Sequence, residues 1–211
     1  MKKNMECFSS KSTEERIREA AKRVFLEKGF DGATSRDIAE AAGINIALTN
    51  YYFRSKEKLF INIFEEMSSL FFEGMIEIMN KSITLREKIA ELIAHDFRLM
   101  KENPSLSLFI MNEIHRNPDR MVNVLGCMKQ IQHSMFEEQL QEAVKRGEIR
   151  PISAMHLMPI MVANVQFLFI SKAMHMRMWH MSEADFDGFV SKHKDLVTDL
   201  ITSYLFEFEK V

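Results

Sequence analysis

Residues 43–60, GINIALTNYYFRSKEKLF, combine a possible helix cap, two adjacent tyrosines and several cations in one short segment. Amide and hydroxyl side chains can hydrogen-bond to phosphate oxygens or base edges, and Lys and Arg neutralise phosphate charge. The three consecutive aromatic rings cannot all point inward from one helical turn, so we expect a tyrosine at the surface. The segment therefore has the side chains of a nucleic-acid interface, although Lys56 and Lys58 alone also fit a solvated helix start.

Helices with recognisable ends must position this segment. Capping boxes at Ser12 and Thr34 start two helices, which are expected to end at Gly29 and Gly43. Asn45 can cap a third helix, IALTNYY. Two helices joined by a glycine-containing turn form a helix-turn-helix, whose second helix enters the major groove of DNA. The order of these elements favours DNA binding.

This region resembles the DNA-binding domain of TetR-family transcriptional regulators. The resemblance covers residues 12–60 and is carried by the end of the first helix, by ATSRDIAEAAGI at 33–44 and by YYFRSKEKLF at 51–60. It implies that the second helix starts against phosphate, that the third helix enters the groove and that the aromatic pair meets the backbone. The residues implied for DNA contact are Thr34, Arg36, Asn45, Ile46, Ala47, Leu48, Tyr51, Tyr52 and Lys56.

Two positions depart from the family's pattern. Where the family commonly has Leu-Tyr before the aromatic pair, this chain has Thr49-Asn50. Thr49 is expected to pack less well than a buried leucine. Asn50 replaces a tyrosine that commonly binds phosphate, but its amide can hydrogen-bond to adenine in the major groove. We therefore add Asn50 to the predicted DNA contacts.

Composition and charge are consistent with a small basic module on an acidic body. The chain has 211 residues, 46% of them hydrophobic and 27% charged, which describes a globular protein and excludes a disordered one. Residues 1–60 contain 12 Lys+Arg and 9 Asp+Glu, whereas residues 61–211 contain 16 and 21. Segregated positive charge is what a DNA-binding module needs.

Targeting and membrane signals are not recognisable in the sequence. Lys2 and Lys3 are not followed by an apolar segment of the kind that a secretory signal contains. The most apolar stretch, 157–170, is interrupted by Pro159, Asn164 and Gln166 and is shorter than the ~18 residues of a membrane span. Two distant cysteines favour free thiols. We expect a cytoplasmic protein without a membrane segment.

The remainder of the chain repeats the helical period of 3.6, so the predicted fold is all-α. Further capping boxes start helices at Thr84 and Ser182. The predicted division is a helix-turn-helix DNA-binding domain at 1–55 and a larger helical sensor and dimerisation domain at 56–211. Residues 157–178 are apolar on nearly every face and residues 186–208 carry an apolar stripe, which predicts a homodimer through an intermolecular four-helix bundle of the last two helices.

Met and Phe are unusually frequent, at 17 each. They indicate either an adaptable core or a cavity that accepts ligands of variable shape. Polar residues within apolar helices, including His95 and Asp96, are interpreted as core hydrogen-bonding groups or subunit contacts rather than ligand contacts. The predicted ligand-binding residues are Phe97, Met100, Phe109, Asn112, His115, Met128, Phe136, Met161, Val165, Gln166 and Phe169.

Catalytic and metal chemistry find little support. Cys127 and His133 lie on different faces of one predicted helix, which disfavours a thiol nucleophile with an adjacent base. The spacings of His156, His175 and His180 match no common zinc site. We predict no enzymatic activity, no metal and no cofactor.

The predicted function is therefore regulation of transcription. The resemblance implies sequence-specific binding to a palindromic operator in double-stranded DNA. Repression is more common in the family than activation. A small apolar or amphipathic inducer is predicted to release the repressor. The alternative is a DNA-binding organiser, or a regulator controlled by a protein partner, without a small-molecule ligand. A cavity of several hundred cubic ångströms favours the sensor, and a filled core favours the organiser.

Overall fold

The computed structural model describes residues 12–53, 55–119, 122 and 134–207. These residues are helical with short connections and contain no strand, so the predicted all-α fold is confirmed for this part of the chain. In chain order the helices are α1 (Thr13–Gly32), α2 (Ser35–Ala42), α3 (Ile46–Tyr52), α4 (Lys56–Met79), α5 (Leu85–Glu102), α6 (Leu106–Arg116), α7 (Met135–Lys145), α8 (Ala154–Ile170), α9 (Lys172–Met178) and α10 (Glu183–Phe206).

Local capping explains where several of these helices begin and end. The predicted capping boxes are present at the starts of α1, α2, α5 and α10. In each box the N-cap hydroxyl accepts from the third backbone N–H, and the acidic side chain accepts from the N-cap N–H. Gly29 interrupts α1 with a φ of 68°, and Gly43 ends α2 in the left-handed conformation. Glycine suits both positions because it has no Cβ to strain them.

The chain forms two compact units, which divide between Met67 and Ser68 within α4. The predicted domain boundary after residue 55 lies at the start of this same helix. Helix α4 thus contributes its first half to unit 1, Met1–Met67, and its second half to unit 2, Ser68–Val211.

Unit 1 is built around an aromatic cluster. Phe60 of α4 meets Phe25 edge-on at a centroid distance of 5.0 Å and Phe30 at 4.9 Å. It also stacks on Phe64 at 5.8 Å. Phe25 and Phe60 are fully buried, together with Ile17 of α1. These contacts fix α1 and the start of α4 as one packed core, because edge-on and stacked rings gain more than burial alone.

In unit 2, helix α5 packs against both α8 and α10. Its buried face is mostly apolar, and Ile89, Ile93 and Phe97 are almost completely enclosed. Two charged residues, Lys88 and Asp96, lie on the same buried side. The central helix of this unit therefore carries ionisable groups into the interior.

The apolar segment 157–178 consists of two helices, so its prediction as one continuous helix was wrong. Helices α8 and α9 meet at an angle of 59°. The break lies at Ser171, whose backbone leaves the helical conformation and whose hydroxyl donates to the Phe167 carbonyl at 2.6 Å. A serine that bonds its own preceding turn competes with the helix ladder.

The described residues contain no single helix of sufficient length and apolarity to span a membrane. The bent pair α8–α9 meets those two criteria when its helices are taken together.

Candidate nucleic-acid interface and interior cavity

Helix α3 presents one face to solvent and one face to the core. Tyr51 is 79% exposed, and Ile46, Leu48 and Tyr52 are each about 40% exposed. Apolar and aromatic side chains usually avoid such exposure unless the surface binds a partner. The Tyr51 and Tyr52 rings meet edge-on with their centroids 5.4 Å apart, so the pair forms an aromatic cluster at the end of the helix.

Asn45 and Thr49 fix α3 in place. The Asn45 side chain accepts from the Ala47 N–H at 2.9 Å and caps the helix, as predicted. Thr49 is the buried residue of α3, at 3% exposure, and its hydroxyl has no hydrogen-bond partner in the described structure. The position at which the family commonly has leucine is thus buried, and threonine leaves an unsatisfied oxygen there.

Cations on α1 hold the C-terminal end of α2. Arg16 donates to the Ala42 carbonyl at 2.8 Å, and Arg23 donates to the Ala41 carbonyl at 3.2 Å. Guanidinium groups at these positions satisfy carbonyls that the helix end leaves free and offset its partial negative charge. Sequence reasoning missed both residues, although their spacing of two helical turns on α1 was a usable signal.

The start of α2 is fixed by an ion pair as well as by its capping box. Lys28 bonds to Asp37 at 2.8 Å. This bond and those from Thr34 lower the pKa of Asp37, because they favour its carboxylate form. Thr34 caps the helix with the same hydroxyl that was predicted to face phosphate. Arg36, the second residue of α2, is exposed.

Lys56 makes internal contacts that the prediction of a phosphate contact did not include. Its ammonium donates to the carbonyls of Phe30 at 2.8 Å and Ala33 at 2.9 Å. The same nitrogen lies 4.1 Å from the centre of the Phe30 ring. Lys56 therefore ties the start of α4 to the end of α1 and to the connection that follows it. One N–H of its three remains for another acceptor.

The remaining predicted DNA-contact residues lie where a partner can reach them. Asn45, Ala47 and Asn50 are exposed along α3. The sequence thus identified the exposed side of α3, and the structure adds the cations behind it that hold α2 and α4 in position.

Unit 2 contains a small interior cavity between α4, α5 and α8. Its volume is about 20 Å³, which is room for about one water molecule. Apolar side chains form most of the wall, and His95 and Asp96 are its two titratable groups. The complete lining is Met75, Leu92, Ile93, His95, Asp96, Met158, Met161, Val162 and Val165.

The predicted ligand residues divide into several groups. Met161 and Val165 line this cavity. Others are buried elsewhere in unit 2, and the Phe97 and Phe169 rings contact each other at 6.1 Å. Met128 lies outside the described residues. The buried set outside the cavity is Phe97, Met100, Phe109, Phe136, Gln166 and Phe169.

The interior positions predicted for Asn112 and His115 are not found. Both side chains are exposed on α6. The buried face of this helix follows Leu106, Phe109 and Ile110, so residues 112 and 115 fall mainly on its outer side. Asp96, which was interpreted as a core hydrogen-bonding group, lies in the cavity wall without a hydrogen bond to either oxygen.

Comparison with known proteins agrees with this architecture. Residues 17–63 match the family model described as bacterial regulatory proteins, tetR family. The fatty acid metabolism regulator protein of Bacillus subtilis is 26% identical over 134 residues, which are 64% of this chain and 69% of that protein.

Two solved structures share the fold. The hemolysin II transcriptional regulator HlyIIR is 25% identical, with a TM-score of 0.61 over 89% of this chain and 97% of that one. FadR from Bacillus subtilis, solved with stearoyl-CoA, is 21% identical, with a TM-score of 0.62 over 87% of this chain and 97% of that one.

A helix-turn-helix with an exposed third helix, followed by a larger helical unit, defines a DNA-binding transcriptional regulator rather than an enzyme. The matches support a TetR-family transcriptional regulator, with the family's N-terminal domain at residues 17–63.

Proposed function

We propose that this regulator is a homodimeric repressor that binds a palindromic operator through α3 and is released by a small molecule with a large apolar part. One observation carries the regulatory part of the proposal. Helix α4 is anchored at its start by Lys56 and lines the interior cavity near its other end through Met75. A ligand that displaces Met75 therefore acts on the helix that directly follows α3 in the chain.

The proposed DNA contacts use the exposed side of α3. Ile46, Ala47 and Asn50 meet base edges and determine sequence preference, whereas Tyr51 and Tyr52 contact the sugar-phosphate backbone. Arg36 and the remaining N–H of Lys56 add contacts to phosphate. The exposed tyrosines support this assignment, because their burial against DNA removes apolar surface from water.

The proposed dimer uses apolar rows on α8 and α10. On α10, Leu196, Leu200 and Tyr204 recur every four residues and are 55–65% exposed. On α8, Phe167 is 63% exposed. A second copy is the occupant we propose, because a twofold dimer presents two recognition helices to adjacent major grooves ~34 Å apart.

The proposed inducer is largely apolar. Three methionines, Met75, Met158 and Met161, form part of the cavity wall, and flexible methionines can move aside for ligands of different shape. The Bacillus subtilis relative named for fatty acid metabolism, and the FadR structure with stearoyl-CoA, support a long hydrocarbon group in the ligand. Acting from unit 2, such a ligand lowers operator affinity about a hundredfold if it binds the low-affinity conformation ~2.7 kcal/mol more tightly.

The experiment begins with operator selection from random DNA by the full-length protein. Binding of the selected operator is then measured while long-chain acyl-CoA, fatty acids and alkyl alcohols are titrated. Val165→Phe fills the cavity, and Leu108→Phe enlarges an exposed residue of α6 as the matched control. We expect one ligand class to release the wild type and the control but not Val165→Phe.

Sedimentation and transcription complete the test. A stable monomer at micromolar concentration contradicts the dimer. Transcription in vitro from a promoter that contains the operator should fall when protein is added and recover with ligand. A rise on adding protein contradicts repression.

A DNA-binding organiser without a small-molecule ligand is the second candidate. The small volume of the described cavity favours it, since ligand sites commonly measure ~300–1,000 Å³. Failure of every titrated compound to bind unit 2 would support this candidate over the sensor, whereas binding that leaves operator affinity unchanged would contradict only the proposed coupling.

A further inference from the structure

Asp96 is a buried acid without a partner. Its side chain is 6% exposed, and neither carboxyl oxygen has a hydrogen bond within the described structure. Burial raises the pKa of Asp96 to about 7. A buried polar group without a partner is costly, and a buried charge more so, unless a ligand or another group compensates it.

The cavity wall around Asp96 is mostly apolar, and no group in the described structure donates a hydrogen bond to its oxygens. Gln166, which is buried on α8 outside this lining, also has an unpaired carbonyl oxygen. His95 lines the same cavity and packs closely against α4 at Gly74, where an added Cβ would overlap the imidazole. Any larger residue at position 74 would therefore displace His95.

We propose that this cavity is the subsite for a primary ammonium group at the end of an apolar ligand. The proposal rests on the sensor function proposed above and specifies its ligand class. In size, an ammonium group resembles the single water molecule for which the cavity has room. Its three N–H groups complement the unpaired oxygens of Asp96, and its charge compensates the carboxylate.

The same geometry discriminates against other end groups. A ligand carboxylate would place a second negative charge beside Asp96 in a site shielded from water. A neutral hydroxyl can donate one hydrogen bond but leaves the charge of Asp96 uncompensated. The ligand's apolar body is accommodated by rearrangement of Met75, Met158 and Met161, which form part of the cavity wall.

The test compares decylammonium, decanoate and 1-decanol, which share a chain length and differ in their end group. Binding to the full-length protein is measured by calorimetry at pH 7.5. Wild type should bind decylammonium more tightly than either other probe. Asp96→Asn should weaken the binding of decylammonium by about 30-fold and change the binding of 1-decanol little, because only decylammonium loses a buried charge partner.

Glu102→Gln is the matched control, since it removes one negative charge from an exposed position on the same helix. It should bind all three probes like wild type. If Glu102→Gln weakened decylammonium binding as much as Asp96→Asn does, the proposal would be overturned, because the loss of affinity would then reflect net charge rather than a local contact. Decanoate binding as tightly as decylammonium in wild type would overturn it as well.

Proton release gives a measurement on the unmodified protein. At pH 6, bound decylammonium should ionise Asp96 and release close to one proton, detected as a dependence of binding heat on the buffer's ionisation heat. His95 is the other titratable group in the wall, so His95→Gln should retain the release if Asp96 is its source. Absence of release in wild type, or its loss in His95→Gln, contradicts the assignment to Asp96.

Operator binding separates this inference from the proposed function. If decylammonium binds through Asp96 and operator affinity does not change, the ammonium subsite stands and the inducer function fails. If decanoate or an acyl-CoA releases the operator and decylammonium does not bind, the inducer function stands and the ammonium subsite fails.

Discussion

Charged side chains that contact the protein interior are paired in unit 1 of this regulator and unpaired on α5 of unit 2. In unit 1, Arg16, Arg23 and Lys56 donate to backbone carbonyls and hold three helices in position. In unit 2, the side chains of Lys88 and Asp96 are buried on α5 and make no hydrogen bond in the described structure. Burial lowers the pKa of Lys88 and raises that of Asp96, so both shifts favour the neutral form.

This difference follows from what each unit must do. A DNA interface has to keep its recognition helix in one geometry, and charged hydrogen bonds to fixed carbonyls provide that rigidity. A ligand site instead gains from polar groups that are satisfied only when the ligand is present. The contrast can be tested by changing a representative residue in each unit.

The largest expected effect is on the pH dependence of stability through Asp96. The pKa of Asp96 is about 7 in the folded protein, compared with 3.8 for an ordinary aspartate in the unfolded chain. Folding is therefore favoured most when the carboxyl is protonated. This contribution is present at low pH and is lost as pH rises through 7. Between pH 5 and pH 8 it should fall by about 3 kcal/mol.

Chemical denaturation at several pH values checks this prediction. Asp96→Asn should remove most of that loss, whereas Glu102→Gln should retain it. Parallel stability curves for wild type and Asp96→Asn would show that Asp96 is compensated, and the contrast between the units would then weaken.

Lys56→Met should destabilise unit 1 by about 2 kcal/mol, because two charged hydrogen bonds and the contact with the Phe30 ring are lost. Lys58→Met, at an exposed position in the same helical turn, is the control and should change stability by less than about 0.5 kcal/mol. Both are measured by urea denaturation.

The salt dependence of operator binding determines whether Lys56 also contacts phosphate. Loss of one phosphate contact reduces the slope of log affinity against log salt concentration by about one. An unchanged slope together with lower stability would assign Lys56 to positioning alone. Unchanged stability with a smaller slope would contradict the internal role.

Thr49→Val should stabilise the protein by about 1 kcal/mol, because it removes a buried hydroxyl that has no partner and keeps the side-chain shape. Thr202→Val is the matched comparison in unit 2. That buried hydroxyl donates to the Thr198 carbonyl at 2.9 Å, so its removal should destabilise by a similar amount. Thermal unfolding of both variants measures the difference, and the same sign in both would contradict it.

The smallest expected change in stability is at Tyr51. Tyr51→Ala should alter the free energy of unfolding by less than about 0.5 kcal/mol, because the ring is 79% exposed. Operator affinity should nevertheless fall several-fold through loss of the backbone contact. Wild-type affinity in this variant would exclude Tyr51 from the interface.

The helix boundaries and the identity of unit 1 were determined by the sequence itself. Capping boxes and the conformations available at Gly29 and Gly43 act over a few residues, so their outcome can be read from local order. The break at Ser171 was missed, because a hydroxyl that bonds its own helix competes with a segment whose apolarity favours continuation.

Only the tertiary structure decided which polar residues are paired. Lys56 and Asp96 each fit more than one interpretation in the sequence, and their partners or lack of them depend on residues far along the chain. Lys56 meets carbonyls at positions 30 and 33, whereas Asp96 faces α4 and α8 across a cavity. Periodicity specifies the face of a helix on which a residue lies, but the packing of distant helices determines what lies opposite it.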